Sequence, residues 1–134
     1  MAHKLIELIE SGVLLEEKTF QGISETRILN NRDKEAFERD WLRVYNDLAL
    51  LKSNTNMEEN VSVQKHAFMK FNQFIPLSEL CGYISDDFEL FYIALATGYN
   101  DPWLSALGNE YLQHRIPTGK LTPLNKDLKY LFGV

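Results

Sequence analysis

The sequence predicts a mainly α-helical fold, a compact array of six or seven helices. Apolar residues recur at spacings of three and four, the period of an amphipathic helix. The clearest such face consists of Phe37, Trp41, Val44, Leu48 and Leu51. In the second half of the chain, helix caps and helix stops follow one another in order, and strand-like alternation of apolar and polar residues is lacking. With 134 residues, the chain is expected to form a single helical domain, 1–134.

In the first half, helices are expected over about residues 3–11 and 32–52, where apolar stripes are continuous. Residues 13–30 are ambiguous. Gln21-Gly22 separates two short apolar runs and allows a short β-hairpin. A loop, or an early start of the next helix, is the alternative.

Polar and acidic residues 53–62 are expected to form a loop. Ser62 would then cap a helix that Pro76 ends. Ser78 would cap a short helix through Tyr83. The second half therefore begins with two separate helices.

Asp86 and Glu89 have the spacing of a capping box, which predicts the start of a helix that reaches about Thr97. Residues 88–96 carry apolar side chains on nearly every side. A helix of this kind is buried at the centre of a domain.

Asp101-Pro102 places a capping residue before a proline at the first helical position and predicts another helix. Thr122-Pro123 repeats this arrangement and predicts a last helix that ends at Gly133.

The composition narrows the classes of function. The formal net charge is −5 and the isoelectric point is about 5.2, which argues against binding to nucleic acid or to anionic membranes. An acidic protein is suited to a basic protein partner. Cys81 is the single cysteine and cannot form an internal disulfide. The first residues lack the apolar run of a signal peptide, so a cytoplasmic location is expected.

No catalytic, cofactor-binding or metal-binding motif is recognisable. His3, His66 and His114 do not form the close pairs that zinc sites require. The segment PTGKLT at residues 117–122 lacks the glycine and hydroxyl positions of a phosphate loop. Adjacent acids such as Asp86-Asp87 do not define a catalytic cleft. The sequence predicts a protein that is not an enzyme and needs no cofactor.

One long stretch of the chain lacks basic residues, since neither lysine nor arginine occurs between Lys70 and Arg115. A buried helix and acidic helix starts, which the helix dipole favours, explain most of this absence. If Asp86, Asp87 and Asp101 converge in space, they also form a negative patch.

In its size, acidity and helical aromatic content, the chain resembles small bacterial proteins encoded beside toxin genes, of the immunity-protein kind. The resemblance implies one-to-one binding of a cognate toxin, without a cofactor. An acidic surface would suit a basic toxin, and Tyr and Trp are typical anchors of interfaces. The residues predicted to bind this partner are Asp86, Asp87, Glu89, Tyr99, Asp101 and Trp103.

Two other functions fit the same sequence. One is a small enzyme or small-molecule-binding protein with an aromatic-lined pocket that holds His66 or His114 beside a carboxylate. The other is a structural protein that forms a homodimer through the helix Phe37–Leu51, rather than a monomer.

Overall fold

A computed structural model describes residues 1–76 and 78–134 of the chain and confirms the mainly α-helical fold. Within these ranges the chain forms seven α-helices and two short 3₁₀ turns, Glu17–Phe20 and Lys52–Asn54. The helices are α1 Ala2–Glu10, α2 Glu25–Arg32, α3 Glu35–Ala49, α4 Met57–Phe74, α5 Leu80–Thr97, α6 Pro102–Leu112 and α7 Leu128–Phe132. None of these helices is both long and apolar enough to cross a membrane.

Helix α5 lies at the centre of the array, as its apolar sequence predicts. Twelve of its 18 residues are buried. It packs along α4 and also contacts α3 and α7, while α1 covers another side of α4. In addition, α2 packs on α3 and α6 packs on α7. Every other helix therefore contacts α5 directly or packs on a helix that does.

Aromatic rings join α5 to the C-terminal helices. Phe91 makes edge-to-face contacts with Tyr111 of α6 at 5.8 Å and with Phe132 of α7 at 5.3 Å between ring centroids. Phe88 contacts Tyr111 in the same way at 5.1 Å. Such pairs contribute roughly 0.5–1.5 kcal/mol each beyond the area they bury.

The β-hairpin considered for residues 13–30 is wrong. Residues 25–32 form a separate helix, α2, and the following helix does not start early, since α3 begins at Glu35. A two-residue hairpin turn of the commonest type needs positive φ at both central residues. Gln21 has φ −72° and Gly22 has φ +68°. The chain instead forms the 3₁₀ turn, and the Ser24 hydroxyl then caps α2 by accepting from the Arg27 N–H at 3.3 Å.

The loop expected over residues 53–62 is also wrong beyond its first part. The Asn56 side chain accepts from the Glu59 N–H at 3.1 Å and starts α4 at Met57. Ser62, the predicted cap, lies inside this helix. An asparagine cap is as effective as a serine cap, and here it precedes the acidic first turn.

The two helices expected around residues 78–97 are a single helix. Ser78 accepts from the Leu80 N–H at 3.0 Å, but the helix continues past Tyr83 to Thr97. Asp86 and Glu89 therefore lie in its middle and do not form a cap. Burial of one continuous apolar side of α5 overrides the local capping pattern.

Two predicted helix boundaries are confirmed. Asp101 Oδ1 accepts from the N–H groups of Trp103 at 2.9 Å and Leu104 at 3.0 Å, which starts α6. Gly98 ends α5 in the left-handed conformation, with φ +77°.

The last helix is shorter than predicted. It begins at Leu128 instead of after Thr122-Pro123, and it ends at Gly133 as expected. Tertiary contacts hold the preceding segment out of a helix, because the Leu124 N–H donates to the Pro102 carbonyl at 2.9 Å.

Packing between α6 and α7 depends on Gly108. A Cβ atom at this position would lie 2.7 Å from Leu128 Cδ1 and 3.0 Å from the Phe132 ring. We expect Gly108→Ala to lower the free energy of unfolding by about 1–3 kcal/mol, as overpacking does. Urea denaturation measures it. Gly82→Ala in α5 is the matched control, since nothing lies within 4 Å of the added atom, and equal losses for both variants would contradict the packing argument.

Candidate functional site

A buried ion pair joins the first half of the chain to the central helix. Arg32, at the end of α2, donates from Nη2 to Asp87 Oδ1 at 2.7 Å and from Nη1 to Asp87 Oδ2 at 3.0 Å. The two side chains are only 3% and 0% exposed. This bidentate geometry is the strong form of an arginine–carboxylate contact.

Two aromatic side chains complete the hydrogen bonds of Asp87. Trp41 of α3 donates from Nε1 to Oδ1 at 2.9 Å, and Tyr111 of α6 donates from its hydroxyl to Oδ2 at 2.6 Å. Arg32 Nη1 also donates to the Pro117 carbonyl at 3.0 Å. The Asp87 network thus joins α2, α3, α5, α6 and the segment after α6.

The network changes the proton affinity of its members. Burial opposes the charge of Arg32, but the charge and hydrogen bonds of Asp87, together with Tyr111, raise the pKa of Arg32 above its ordinary value. Burial, followed by the charge of Asp87, raises the pKa of Tyr111 well above its ordinary value. Both groups therefore keep their protons as hydrogen-bond donors to Asp87 throughout the physiological range.

Acids in the cation-free stretch, residues 71–114, pair with cations from the first half of the chain. Lys52 Nζ lies 3.1 Å from Glu89 Oε2, and Arg43 donates to Asp101 Oδ2 at 2.6 Å. Although burial acts in the opposite direction, the hydrogen bond from Arg43 lowers the pKa of Asp101. Three of the six acids in the cation-free stretch, Asp87, Glu89 and Asp101, are therefore paired with cations from the first half of the chain.

The six residues predicted to bind a partner occupy different environments. Asp86 is exposed, while Asp87 and Trp103 are buried. The side chains of Glu89 and Asp101 are mostly covered. Tyr99 is partly exposed, and its hydroxyl donates to an Asp47 carboxylate oxygen at 2.8 Å.

Helix α3 separates Tyr99 and Asp101 from Asp87. Asp101 and Tyr99 bind Arg43 and Asp47, which lie on one face of α3 because they are four residues apart. Trp41, two residues before Arg43, points about 200° away around the helix and reaches Asp87. The structure therefore does not gather all the predicted residues on one patch.

Asp86 instead borders a groove of about 290 Å³ between α3, the end of α2 and α5. We call this the α3–α5 groove, and its lining residues are Arg32, Asp33, Phe37, Glu38, Trp41, Leu42, Tyr83 and Asp86. Partial burial, followed by repulsion from Asp87 and Glu89, raises the pKa of Asp86 to about 6. The groove thus combines three carboxylates with aromatic and aliphatic walls.

Sequence reasoning missed the apolar walls of this groove. Leu42 is 43% exposed and Tyr83 is 40% exposed. Trp41 belongs to the apolar face of α3, but it is only partly buried and stacks on Tyr45 with ring centroids 5.4 Å apart. The available clue was that Leu42 and Tyr45 are large apolar residues outside the buried stripe of α3.

The histidines lie outside the α3–α5 groove. His66 Nδ1 lies 2.9 Å from Glu10 Oε1, and His114 Nδ1 lies 3.4 Å from Glu16 Oε1. Among the residues that the structure describes, no group of three or more histidines, cysteines and acids is placed to hold a metal ion.

By its fold and its groove, this is a small, acidic, helical protein with an open groove lined by aromatic side chains and carboxylates. Residues 4–118 match the family model of the Immunity protein PIM1 family, and because the match covers most of the chain, the chain belongs to this family. Its general role is of the immunity type. A search of curated proteins found no match, and neither did a search of solved structures. The matched region contains both Arg32 and Asp87.

Breaking the buried pair should strongly destabilise the fold. Arg32→Met leaves the Asp87 charge buried without its cation, and we expect a loss of about 3–5 kcal/mol in the free energy of unfolding. Arg115→Met, which breaks the exposed Arg115–Glu110 pair, is the control and should cost at most about 1 kcal/mol. Urea denaturation compares the two. A loss at Arg32 as small as that at Arg115 would show that the network does not stabilise the fold.

Asp86 should make stability depend on pH. Its pKa rises from 3.8 to about 6 on folding, so the folded chain holds this proton more tightly than the unfolded chain does. The contribution of Asp86 to the free energy of unfolding is therefore higher below pH 4, where Asp86 is protonated, and it falls as the pH rises through 6 and this proton is lost. Asp86→Asn should remove the loss and gain stability relative to wild type between pH 4 and 7, by less than about 1 kcal/mol because the group is exposed.

Urea denaturation at pH 4 and at pH 7 measures this difference. Glu7→Gln, a neutralised acid on the exposed side of α1, controls for the change in net charge. A wild-type-minus-variant difference that stays constant between the two pH values would contradict the assignment to Asp86.

Proposed function

We propose that this protein binds a basic toxin and neutralises it without catalysis, through a surface centred on the α3–α5 groove. The observation that carries the proposal is the groove itself, in which exposed apolar side chains lie among Asp33, Glu38 and Asp86. An exposed apolar site bordered by carboxylates favours a basic protein surface as its partner.

The charges around the groove favour a positively charged partner. Arg32 is the only cation among the lining residues of the groove, and the bidentate contact with Asp87 compensates its charge. The three lining carboxylates therefore leave the groove negative, in a chain whose formal net charge is −5. This field would speed the association with a basic toxin and make the rate sensitive to salt.

Trp41 and Tyr83 are the proposed anchors. Tryptophan and tyrosine are enriched among the residues that dominate binding energy. The Trp41 ring is held on one side by Tyr45 and by its hydrogen bond to Asp87. Because this ring is already fixed, binding would lose little side-chain entropy.

The residues predicted from sequence have unequal parts in this proposal. Asp86 is the central charged contact, and Glu89 flanks it on α5. Tyr99 and Asp101 lie beyond another face of α3 and would touch only a partner that extends over this helix. Asp87 and Trp103 are buried and would act by holding the groove residues in position.

Dimerisation through α3 is the second candidate, because Leu42 and Tyr45 are exposed on that helix. It would cover the same groove. Sedimentation equilibrium distinguishes the two candidates, since a monomer that binds the toxin one-to-one is expected under the toxin proposal. A dimer that toxin does not dissociate would favour self-association.

The test expresses each gene adjacent to this chain's gene, alone and together with this chain, in order to find the cognate toxin. We expect growth arrest by the toxin alone, rescue by the wild-type chain, and a one-to-one complex by calorimetry. The double variant Glu38→Lys/Asp86→Lys should weaken the complex at least tenfold, because like charges would face each other.

Glu7→Lys/Glu17→Lys is the matched control, since it changes the net charge equally at exposed positions outside the groove. We expect less than a threefold change in affinity at 150 mM salt, where distant charges are screened. An equal loss for both double variants would show that the groove is not the site. A wild-type chain that neither binds nor rescues would refute toxin binding.

A further inference from the structure

We infer that the α3–α5 groove is a receptor for one arginine side chain of the basic partner, seated between Trp41 and Tyr83 and paired with the carboxylate of Asp86. This inference rests on the proposed function and specifies the chemical group that the groove would recognise. Its support comes from the size of the groove, from its charge and from the aromatic faces on its walls.

The size of the groove suits one side chain. Its volume is about 290 Å³, just below the range of roughly 300–1,000 Å³ that is typical of pockets for cofactors and drug-sized ligands. An inserted side chain needs less space, and the rest of the partner would remain above the groove. A protruding residue on a protein surface therefore fits better than a free metabolite.

The charges around the groove select a cation. Asp33, Glu38 and Asp86 supply carboxylate oxygens from α5 and from both sides of the α2–α3 junction. The single lining cation, Arg32, is engaged by Asp87 and by the Pro117 carbonyl. Each carboxylate has two oxygens, and a guanidinium group can bind them in a bidentate manner, which an ammonium group cannot do.

The aromatic walls favour arginine over lysine. Planar guanidinium groups stack on aromatic rings, and energetically significant contacts lie within about 6 Å of the ring centroid. The molecule already contains such a contact, because Arg32 Cζ lies 4.4 Å from the Phe37 ring centroid. It also lies 5.9 Å from the Tyr83 ring centroid. Tyr83 is still 40% exposed and Trp41 is partly exposed, which leaves surface of both side chains for a second guanidinium group from outside.

The test titrates the ¹⁵N-labelled wild-type chain with N-acetyl-arginine amide and follows its amide and indole resonances. For a ligand of about 15 non-hydrogen atoms, a dissociation constant on the order of 1 mM is expected. Saturable shifts should concentrate on Trp41 Nε1–H and on the backbone of residues 83–86. N-acetyl-citrulline amide, which has nearly the same shape without the charge, should bind at least tenfold more weakly. N-acetyl-lysine amide should bind at least about threefold more weakly than the arginine probe.

Variants locate the site. Asp86→Asn should weaken binding of the arginine probe at least threefold, while Glu7→Gln should leave it unchanged. Equal binding of the arginine and citrulline probes, shifts outside the groove, or no saturable shift would overturn the inference.

These failures differ from a failure of the proposed function. A chain that neutralises the toxin but does not bind the arginine probe in the groove refutes the arginine receptor alone. A chain that binds the probe in the groove but neither binds nor neutralises the toxin refutes the toxin proposal. Once a complex is confirmed, each surface arginine of the toxin can be replaced by glutamine. At one position the loss of affinity should not add to the loss caused by Asp86→Asn, because the two residues contact each other.

Discussion

The Arg32–Asp87 ion pair is the interaction on which the arrangement of this structure depends. Removing two charges from water is costly unless most of their hydrogen-bonding groups find partners. Asp87 obtains four such contacts, from the two Nη atoms of Arg32, from Trp41 and from Tyr111. These partners come from three helices, so the need to satisfy one carboxylate sets how α2, α3 and α6 surround α5. A hydrophobic contact of equal area would not impose the same orientation, because burial of apolar surface is not directional.

The same network links the core to the surface. Trp41 donates inward to Asp87, and its ring forms part of the groove wall. Arg32 is held inside by Asp87. Asp86, the preceding residue on α5, is exposed, and partial burial followed by repulsion from Asp87 raises its pKa. Adjacent residues on a helix diverge by about 100°, so two neighbouring aspartates have opposite roles. Asp87 organises the core, and Asp86 is the proposed contact with a partner. The proposed binding surface is therefore rigid on its inner side.

The family match and the geometry bear on different parts of the functional argument. Membership in the Immunity protein PIM1 family assigns an immunity-type role to the chain. The groove, its carboxylates and its exposed aromatic side chains supply the proposed mode of binding. In this view the acidity of the chain acts at long range to steer a basic toxin, and the aromatic walls act at short range to hold it. The two effects are separable, since salt weakens the first much more than the second.

The sequence by itself determined the fold class, the central position of α5 and the boundaries at Gly98 and Asp101, because these depend on helical periodicity and on local capping. It misplaced Ser62 and Asp86 as caps, since Asn56 caps α4 earlier in the chain and the buried side of α5 runs continuously through residue 86. It identified Asp86 as a candidate contact, but it grouped this residue with Asp87, Trp103 and Asp101. Only the tertiary structure decided which acids are buried, which are paired and which line a groove. The cations that pair with Asp87, Glu89 and Asp101 lie far away in sequence, and the pattern of one chain carries no information on which distant side chains will meet.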